Sequence, residues 1–545
     1  MKKILLIVLA SIMVLGFAAS AFAIHAEIPS ETQAVVAKGG TQITLGGELR
    51  VRGWYTDNVG TAAISDVTTT TRWNDVDNDG TIDPDEAGTA VTSTSTFALP
   101  TMYLPSNQSV VSKDTYTSRI DTNDLSEHGI TLVRSNVRTE SNSDAWYDAR
   151  VRLTLNAQVT PNTTGYVALE SNSGTTVSDT YTWGTLNNKQ SDLTILEAWI
   201  LHTGSGLLGI PAGIKVGHMP LSLGEKQFLD LTKFGTDAIV VFADPIKGMH
   251  VGLLTAKTVE GSTNLNDDID AYVALMTYKI NDKNTIGANY TLIKGDNLVA
   301  LVSNPALGIT SLDGYSLKLH NFQAHAKGQV GPVSYRGEVD YQLGRVEGAG
   351  SVTDVEALAV FAELGVKVDP VSIFARYGYG SGDKGTESKI EEFQTVLGRD
   401  IHSSFIYEYI VDGAASSQLI PSGSTTSFRS RGLANTSMFN LGASVAPTKD
   451  LTVTLDGYYL RANAAYKGQK NVLSSWSGTA NNTSHSLGYE VDLKLSYKID
   501  KNLTYGVIAG VFKPGSYYRE TYDMGEMGIK ATTVKAAMHS LTLSF

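Results

Sequence analysis

Between Leu487 and Ile499 every second residue is apolar. Leu487, Tyr489, Val491, Leu493, Leu495, Tyr497 and Ile499 stand against Glu490, Asp492, Lys494, Ser496 and Lys498. A period of two marks a β-strand, because successive side chains leave opposite faces of the pleat. The same rhythm places Ile43, Leu45, Leu49, Val51 and Tyr55 against Thr44, Glu48, Arg50 and Arg52. It sets Val151, Leu153, Leu155 and Val159 against Arg150, Arg152, Thr154, Asn156 and Gln158, and Val333, Tyr335, Val339, Tyr341 and Leu343 against Ser334, Arg336, Glu338, Asp340 and Gln342. Strands this long with one greasy and one charged face exceed ordinary globular strands and suit a tilted membrane crossing.

The connections fall into two classes. Short ones carry Pro, Asp, Asn or Gly: Thr160-Pro161-Asn162, Asn281-Asp282-Lys283-Asn284, Gly331-Pro332, Asp369-Pro370, Pro447-Thr448-Lys449-Asp450 and Asp500-Lys501-Asn502. These residues fix φ or tolerate positive φ. Long ones, near 58–145 and 384–434, are rich in Ser, Thr, Gly and Asn. Short turns at one end and long loops at the other are the asymmetry of an outer-membrane barrel. With weaker turns near Gly204–Gly213 and Asp244–Gly248, the spacing predicts an all-β, antiparallel transmembrane β-barrel of about 18 strands. The alternative is about 16, because Ala238–Glu260 and Tyr315–Val330 lose their alternation partway.

The two ends of the chain agree with this reading. Met1-Lys2-Lys3, the apolar run from Ile4 to Phe17 and Ala21-Phe22-Ala23 predict a signal peptide over 1–23, cut after Ala23. A periplasmic segment, 24–41, and a barrel, 42–545, follow. In the closing run Ser540-Leu541-Thr542-Leu543-Ser544-Phe545, Leu541, Leu543 and Phe545 are expected to face lipid, and Thr542 and Ser544 the lumen. The mean hydropathy of −0.07 hides membrane character, since apolar residues take alternate positions. Zero cysteines exclude disulfides and thiolate metal sites, and a net charge of −12 argues against nucleic-acid binding. No Gly-x-Ser-x-Gly elbow, His-Glu-x-x-His pair or phosphate loop is present, so no enzyme is expected. Trp54, Tyr55, Tyr377, Tyr379, Tyr458, Tyr459, Tyr497, Tyr517 and Tyr518 are expected in aromatic girdles at the membrane boundaries.

Charges on the polar faces are the candidate pore lining. Arg50 and Arg52 on the first strand and Arg150 and Arg152 on the second lie ~4.8 Å apart across neighbouring strands and predict a cationic wall. Glu338, Asp340, Asp456, Glu490 and Asp492, from strands elsewhere in the barrel, predict an anionic one, with Glu48 and Arg336 also turned inward. Opposed walls would set a transverse field across a water-filled lumen and discriminate by charge. Outside the barrel, Asp75-Val76-Asp77-Asn78-Asp79-Gly80-Thr81-Ile82-Asp83-Pro84-Asp85-Glu86 fits a calcium-loop pattern. Asp75, Asp77, Asp79, Asp83 and Glu86 would offer carboxylate oxygens and Thr81 its carbonyl. The flanks do not read as helices, so an isolated Ca²⁺ loop in the first extracellular connection is expected.

Three stretches resemble porins of the alginate-export type found in Gram-negative outer membranes. They are Leu45-Gly46-Gly47-Glu48-Leu49-Arg50-Val51-Arg52, Ile214-Lys215-Val216-Gly217-His218-Met219-Pro220-Leu221-Ser222-Leu223-Gly224, and Arg376-Tyr377-Gly378-Tyr379-Gly380-Ser381-Gly382-Asp383. The resemblance implies an 18-stranded channel with an arginine-rich constriction to which Arg50, Arg52 and Arg376 belong. At Gly217-His218-Met219 the family often has Gly-Arg-Gln, which implies one lumenal arginine fewer here. The expected function is therefore an outer-membrane porin passing small hydrophilic solutes, with a preference for anions. Export of an acidic exopolysaccharide and a surface-attachment barrel are the alternatives. Expected partners are outer-membrane lipid, lipopolysaccharide and the solutes themselves, with no nucleic acid and the oligomeric state left open.

Overall fold

Eighteen strands follow one another around a single wall. The computed structural model describes residues 34–545 outside 39, 73–90, 106–112, 119–129, 139–142, 173–180, 185–191, 207–208, 260–267, 297–314, 349–350, 385–388, 398–402, 412–431, 466–483 and 522–530. The first six strands are β1 (Thr41–Asp57), β2 (Ser143–Thr160), β3 (Thr163–Asn172), β4 (Asp192–Gly204), β5 (Ala212–Met219) and β6 (Thr236–Ala243). Then come β7 (Met249–Val259), β8 (Ile269–Asn281), β9 (Asn284–Gly295), β10 (Ser316–Val330), β11 (Val333–Gly348) and β12 (Ser351–Val368). The last are β13 (Val371–Gly380), β14 (Thr436–Val445), β15 (Leu451–Ala462), β16 (Ser486–Asp500), β17 (Leu503–Pro514) and β18 (Val534–Ser544). Each pairs antiparallel with the next, and β18 returns to β1 with Glu48 opposite Ser544 and Asp57 opposite Lys535. The barrel is closed at 18 strands, and 16 is excluded.

One end carries the expected short turns, among them Pro161-Asn162, Asp282-Lys283 and Lys501-Asn502. The other carries the longer connections, with one tight exception, where Gly348 pairs directly with Ser351. The first long connection is more ordered than a loop. Val59–Arg72, Val91–Pro105, Lys113–Ser118 and Ile130–Arg138 form a separate four-stranded antiparallel sheet. The candidate calcium residues 75–86 lie outside the described residues, as does the candidate signal peptide 1–23.

Outward positions are aliphatic or aromatic and open to lipid: Leu49, Leu153, Leu253, Phe322, Leu364, Leu441, Leu541 and Leu543 are all exposed. Tyr55 and Tyr459 share this face, and the Tyr377 ring packs on outward Phe439, with ring centroids 4.8 Å apart. Trp54, Tyr458, Tyr517 and Tyr518 do not belong to a girdle, because all four are buried in an internal cluster. Apolar residues inside a barrel explain where the alternation fails. On β6 to β10, Ala238, Leu254, Ala256, Ala271, Val273, Ile293, Leu317 and Leu319 point inward and pack against Leu223, Phe228, Leu229, Phe393 and Val396 from two extracellular connections. A second internal cluster joins Trp54, Met438, Ile508 and Met538 to Phe405, Ile406 and Tyr407. The lumen is thus partly a packed core rather than water throughout.

At the seam, Gly47 N–H donates to the Phe545 carbonyl at 2.8 Å and Phe545 N–H to the Gly47 carbonyl at 3.0 Å. A Cβ on Gly47 would stand 2.6 Å from the Phe545 ring, so the terminal aromatic needs glycine beneath it. Beyond the chain end, Ala34–Lys38 turns back and pairs with Thr41–Leu45, covering the rest of that edge. Deleting Phe545 should remove about 1–3 kcal/mol of seam pairing and lower the yield of closed barrel. Heat-modifiable migration on gels measures that yield, and an unchanged closed fraction would contradict it.

Candidate functional site

A passage through this barrel must run between its inward side chains and the two connections that fold into it. The first is 220–235, between β5 and β6. Gly224, at φ +53, brings the backbone onto β11, where a Cβ would collide with the Glu338 carboxylate. Glu225 N–H then donates to Glu338 Oε2, and Gln227 N–H to Glu338 Oε1 at 3.0 Å. The second is 381–435, between β13 and β14. Its Gln394 exchanges two hydrogen bonds of 2.9 Å each with Gln342 of β11. Further along, Phe405 N–H donates to Asp492 Oδ2 at 3.1 Å, and Ile406 and Tyr407 N–H donate to the two Glu490 oxygens at 2.6 and 2.8 Å. The two connections also join each other as a short parallel pair, Leu229–Asp230 against Val396–Leu397. One strap therefore crosses the lumen from β11 to β16.

This use of the acidic residues differs from the expected anionic wall. Glu338, Asp340, Asp456, Glu490 and Asp492 all face inward, but each is at most 2% exposed. Buried carboxylates persist only when hydrogen-bonded or paired, and the strap's backbone N–H groups supply the partners. Asn321 donates to Asp340 at 2.9 Å, and Lys494 stands 3.0 Å from Asp456. Glu338, Glu490 and Asp492 hold the strap in place, Asp340 and Asp456 are tied to wall residues, and none of the five is exposed to water.

The arginine wall is likewise interleaved with acids. Arg50 lies directly across from Arg150, Arg52 from Asp148 and Glu48 from Arg152. Arg52 binds both Asp148 oxygens, at 2.8 and 2.9 Å, and Trp54 Nε1 donates to the same carboxylate at 2.8 Å. Arg150 Nε donates to Glu48 at 2.9 Å, and Arg152 pairs with Glu170. Arg50, Arg52 and Arg150 are buried, so β1 and β2 share an ion-paired patch in which Glu48 and Asp148 flank the facing Arg50 and Arg150.

Cations that do meet water lie nearer the periplasmic ends. Lys327 and Arg336 face each other on β10 and β11, with side chains 57% and 36% exposed. Their acid partners sit behind them: Glu225, only 7% exposed, is 3.2 Å from Lys327 and 3.7 Å from Arg336. Arg336 and Arg376 both grip Glu363, and Arg376 also donates to Asn440 at 3.2 Å. Lys215 on β5 and Lys279 on β8 share the inward parity, Lys215 over the Trp199 ring at 3.9 Å. The lumen thus presents cationic heads in front of sequestered carboxylates.

His218, where the resemblance implied a lost lumenal arginine, is on the outward face, 2.9 Å from Asp237 and 2.8 Å from the Phe234 carbonyl. An arginine there would not reach the lumen. His320 and His325 take opposite faces, His320 bonding outward Tyr290 and His325 lying opposite Glu338. Among the described residues no group of three His, Asp or Glu is arranged to hold a metal. Sequence reasoning missed Glu225, Gln394 and the 405–407 backbone. The signal that could have found them is the repeated Glu-Val-Asp at 338–340 and 490–492, since paired inward acids need something to neutralise them.

Comparison with known proteins matches residues 133–527 to the family described as Alginate export. No curated protein matches. Among solved structures, Pseudomonas aeruginosa OccK5 (OpdH) aligns at 12% identity over 92% of this chain and 98% of that one, with a TM-score of 0.41. P. aeruginosa OccK8 (OprE) aligns at 10% identity over 92% and 98%, with a TM-score of 0.44. The outer-membrane channel DcaP of Acinetobacter baumannii aligns at 13% identity over 93% and 99%, with a TM-score of 0.36. At such scores the barrel assignment rests on this chain's own hydrogen-bond ladder.

Replacing Glu490 and Asp492 with Ala should untie one end of the strap, at about 1–3 kcal/mol for each charge-assisted bond lost. Single-channel conductance should rise and the current should flicker. A steady current at the wild-type level would show that these carboxylates do not hold the constriction.

Proposed function

We propose that this chain, which belongs to the alginate-export family, is a passive outer-membrane channel for small hydrophilic solutes that prefers anions. Export through a leader cut after Ala23 and contact with lipopolysaccharide are parts of this reading, and no catalytic role is assigned. The observation that carries it is the placement of charge: Lys327 and Arg336 meet lumenal water while Glu225 lies behind them. A low-dielectric wall focuses such a field and enriches the counter-ion inside the pore. The strap makes a small solute the natural cargo, because it divides the lumen between β11 and β16. A second reading, export of an acidic polysaccharide, is favoured by the family match and would use the same cations. Block of the current by alginate oligomers added from the periplasmic side would select it.

Replacing Lys215, Lys279 and Lys327 with Gln keeps the Arg336 and Arg376 pairs intact. Lumenal substitutions tune selectivity rather than folding, so the anion-over-cation permeability ratio should fall by about twofold or more. Reversal potentials across a potassium chloride gradient measure this, and an unchanged ratio removes the anion preference.

The calcium loop is proposed as an accessory site on the first extracellular connection. Supporting it is the register of the flanking strands: Arg72 is the direct partner of Val91, which brings the ends of the intervening segment together. Extracellular Ca²⁺ sites bind at about 10⁻⁴–10⁻³ M. Isothermal titration should detect such binding in the wild type and lose it in Asp75→Ala with Glu86→Ala. Absence of binding by the wild type at millimolar Ca²⁺ rejects the site.

A further inference from the structure

On the outer wall, a row close to the extracellular ends of β9, β10 and β11 carries cations where aliphatic residues would be expected. Lys294 is the direct cross-strand partner of Lys318, and Lys318 of Arg345. All three share the outward parity of Ile286, Phe322 and Leu343, which are exposed to lipid. Adjacent strands stand ~4.8 Å apart, and like charges directly opposite destabilise a sheet. Lys294 is 2.6 Å from Asp296, and Arg345 is 3.5 Å from Glu347 and 3.2 Å from Asp354. Lys318, between them, has no acid at ion-pair distance among the described residues.

A neighbouring strand shows the contrast. Lys257 on β7 lies 2.6 Å from Asp268 and 3.3 Å from Asp270, so its charge is answered twice within the protein. Among the described residues the central cation of the β9–β11 row, Lys318, has no acid partner. Immediately below it, His320 Nδ1 and the Tyr290 hydroxyl share a hydrogen bond of 2.8 Å, and the Tyr290 and Phe322 rings lie 5.3 Å apart. On its extracellular side this row of cations is bordered by Asp296 and Glu347, and toward the periplasm the face runs through polar ring atoms to a greasy surface. That order matches a phosphorylated glycolipid standing in the outer leaflet. Behind the row, Ile293, Leu317 and Val346 are packed inside the barrel, which fixes the spacing of the three strands.

We propose that Lys294, Lys318 and Arg345 form a binding site for the phosphate groups of lipopolysaccharide, whose acyl chains lie over Phe322 and Leu343. The site rests on the lipopolysaccharide contact proposed above and is independent of the solute preference. A cation near an anionic lipid surface contributes about fivefold in affinity, so removing three should weaken binding on the order of a hundredfold.

The test uses the full-length barrel in neutral detergent, titrated with deep-rough lipopolysaccharide and, separately, with the same lipid after removal of its phosphates. Wild type should bind the phosphorylated lipid, while Lys294→Gln/Lys318→Gln/Arg345→Gln binds it about a hundredfold more weakly and Lys257→Gln binds as wild type does. Heat-modifiable migration verifies that each variant is closed. Equal binding by the triple variant and wild type overturns the site, whereas no binding by wild type overturns the lipopolysaccharide contact itself. Equal affinity for the dephosphorylated lipid, or displacement by millimolar inorganic phosphate alone, also overturns the site.

Discussion

Inside hydrocarbon, every backbone N–H and C=O must be satisfied by protein, because no water is available to do it. The rest of this structure follows from how β1 meets that demand. One edge of β1 pairs with β2 from Gln42 to Asp57. The other pairs with β18 only from Glu48 onward, and the Phe545–Gly47 exchange extends it by a step. Ala34–Lys38 then takes the remaining stretch. The seam is thus completed by both ends of the described chain, which leaves the described barrel wall without an open edge there to template association.

Closing eighteen strands creates an interior wider than side chains from the wall can fill. Two extracellular connections enter that space, and their exposed peptide groups would be costly there without partners. The carboxylates of Glu338, Glu490 and Asp492 meet the N–H groups of Glu225, Gln227 and residues 405–407. Each side solves the other's problem, since a buried carboxylate without donors would be equally unfavourable. With those acids thus occupied, Lys327 and Arg336 remain exposed in front of the buried Glu225.

The strand count was legible because lipid enforces it: outward residues alternate wherever the wall touches hydrocarbon. Where an internal connection touches the wall, the inward residues turn apolar too, and Ala238, Leu254 and Ala256 on β6 and β7 and Leu317 and Leu319 on β10 erase the rhythm there. A different failure occurs at Leu487, which sequence alternation places with lipid-facing Tyr489. The register shifts between Leu460 and Arg461, Gly488 takes φ +129, and Leu487 turns inward to full burial. Trp54 and Tyr458 misled for a related reason, since an aromatic near a strand end suits a girdle and an internal cluster equally. The inward direction of the charged residues could be read, but the strap could not. Its contacts on Glu338 and Glu490 are made by peptide N–H groups, which every residue but proline owns, so no side-chain pattern announces them.

The internal apolar clusters bear on wettability. A lumen emptied of its strap would not become a wide aqueous bore. On the β6–β10 arc it would expose Leu254, Val273, Ile293 and Leu319 as a continuous oily surface, and confined water retreats from such walls. Gly510, where a Cβ would stand 3.1 Å from Ile406 and 3.2 Å from Phe405, would become a shallow dent in a second such surface. The barrel's usable cross-section is therefore defined as much by where water is willing to stand as by where atoms leave room.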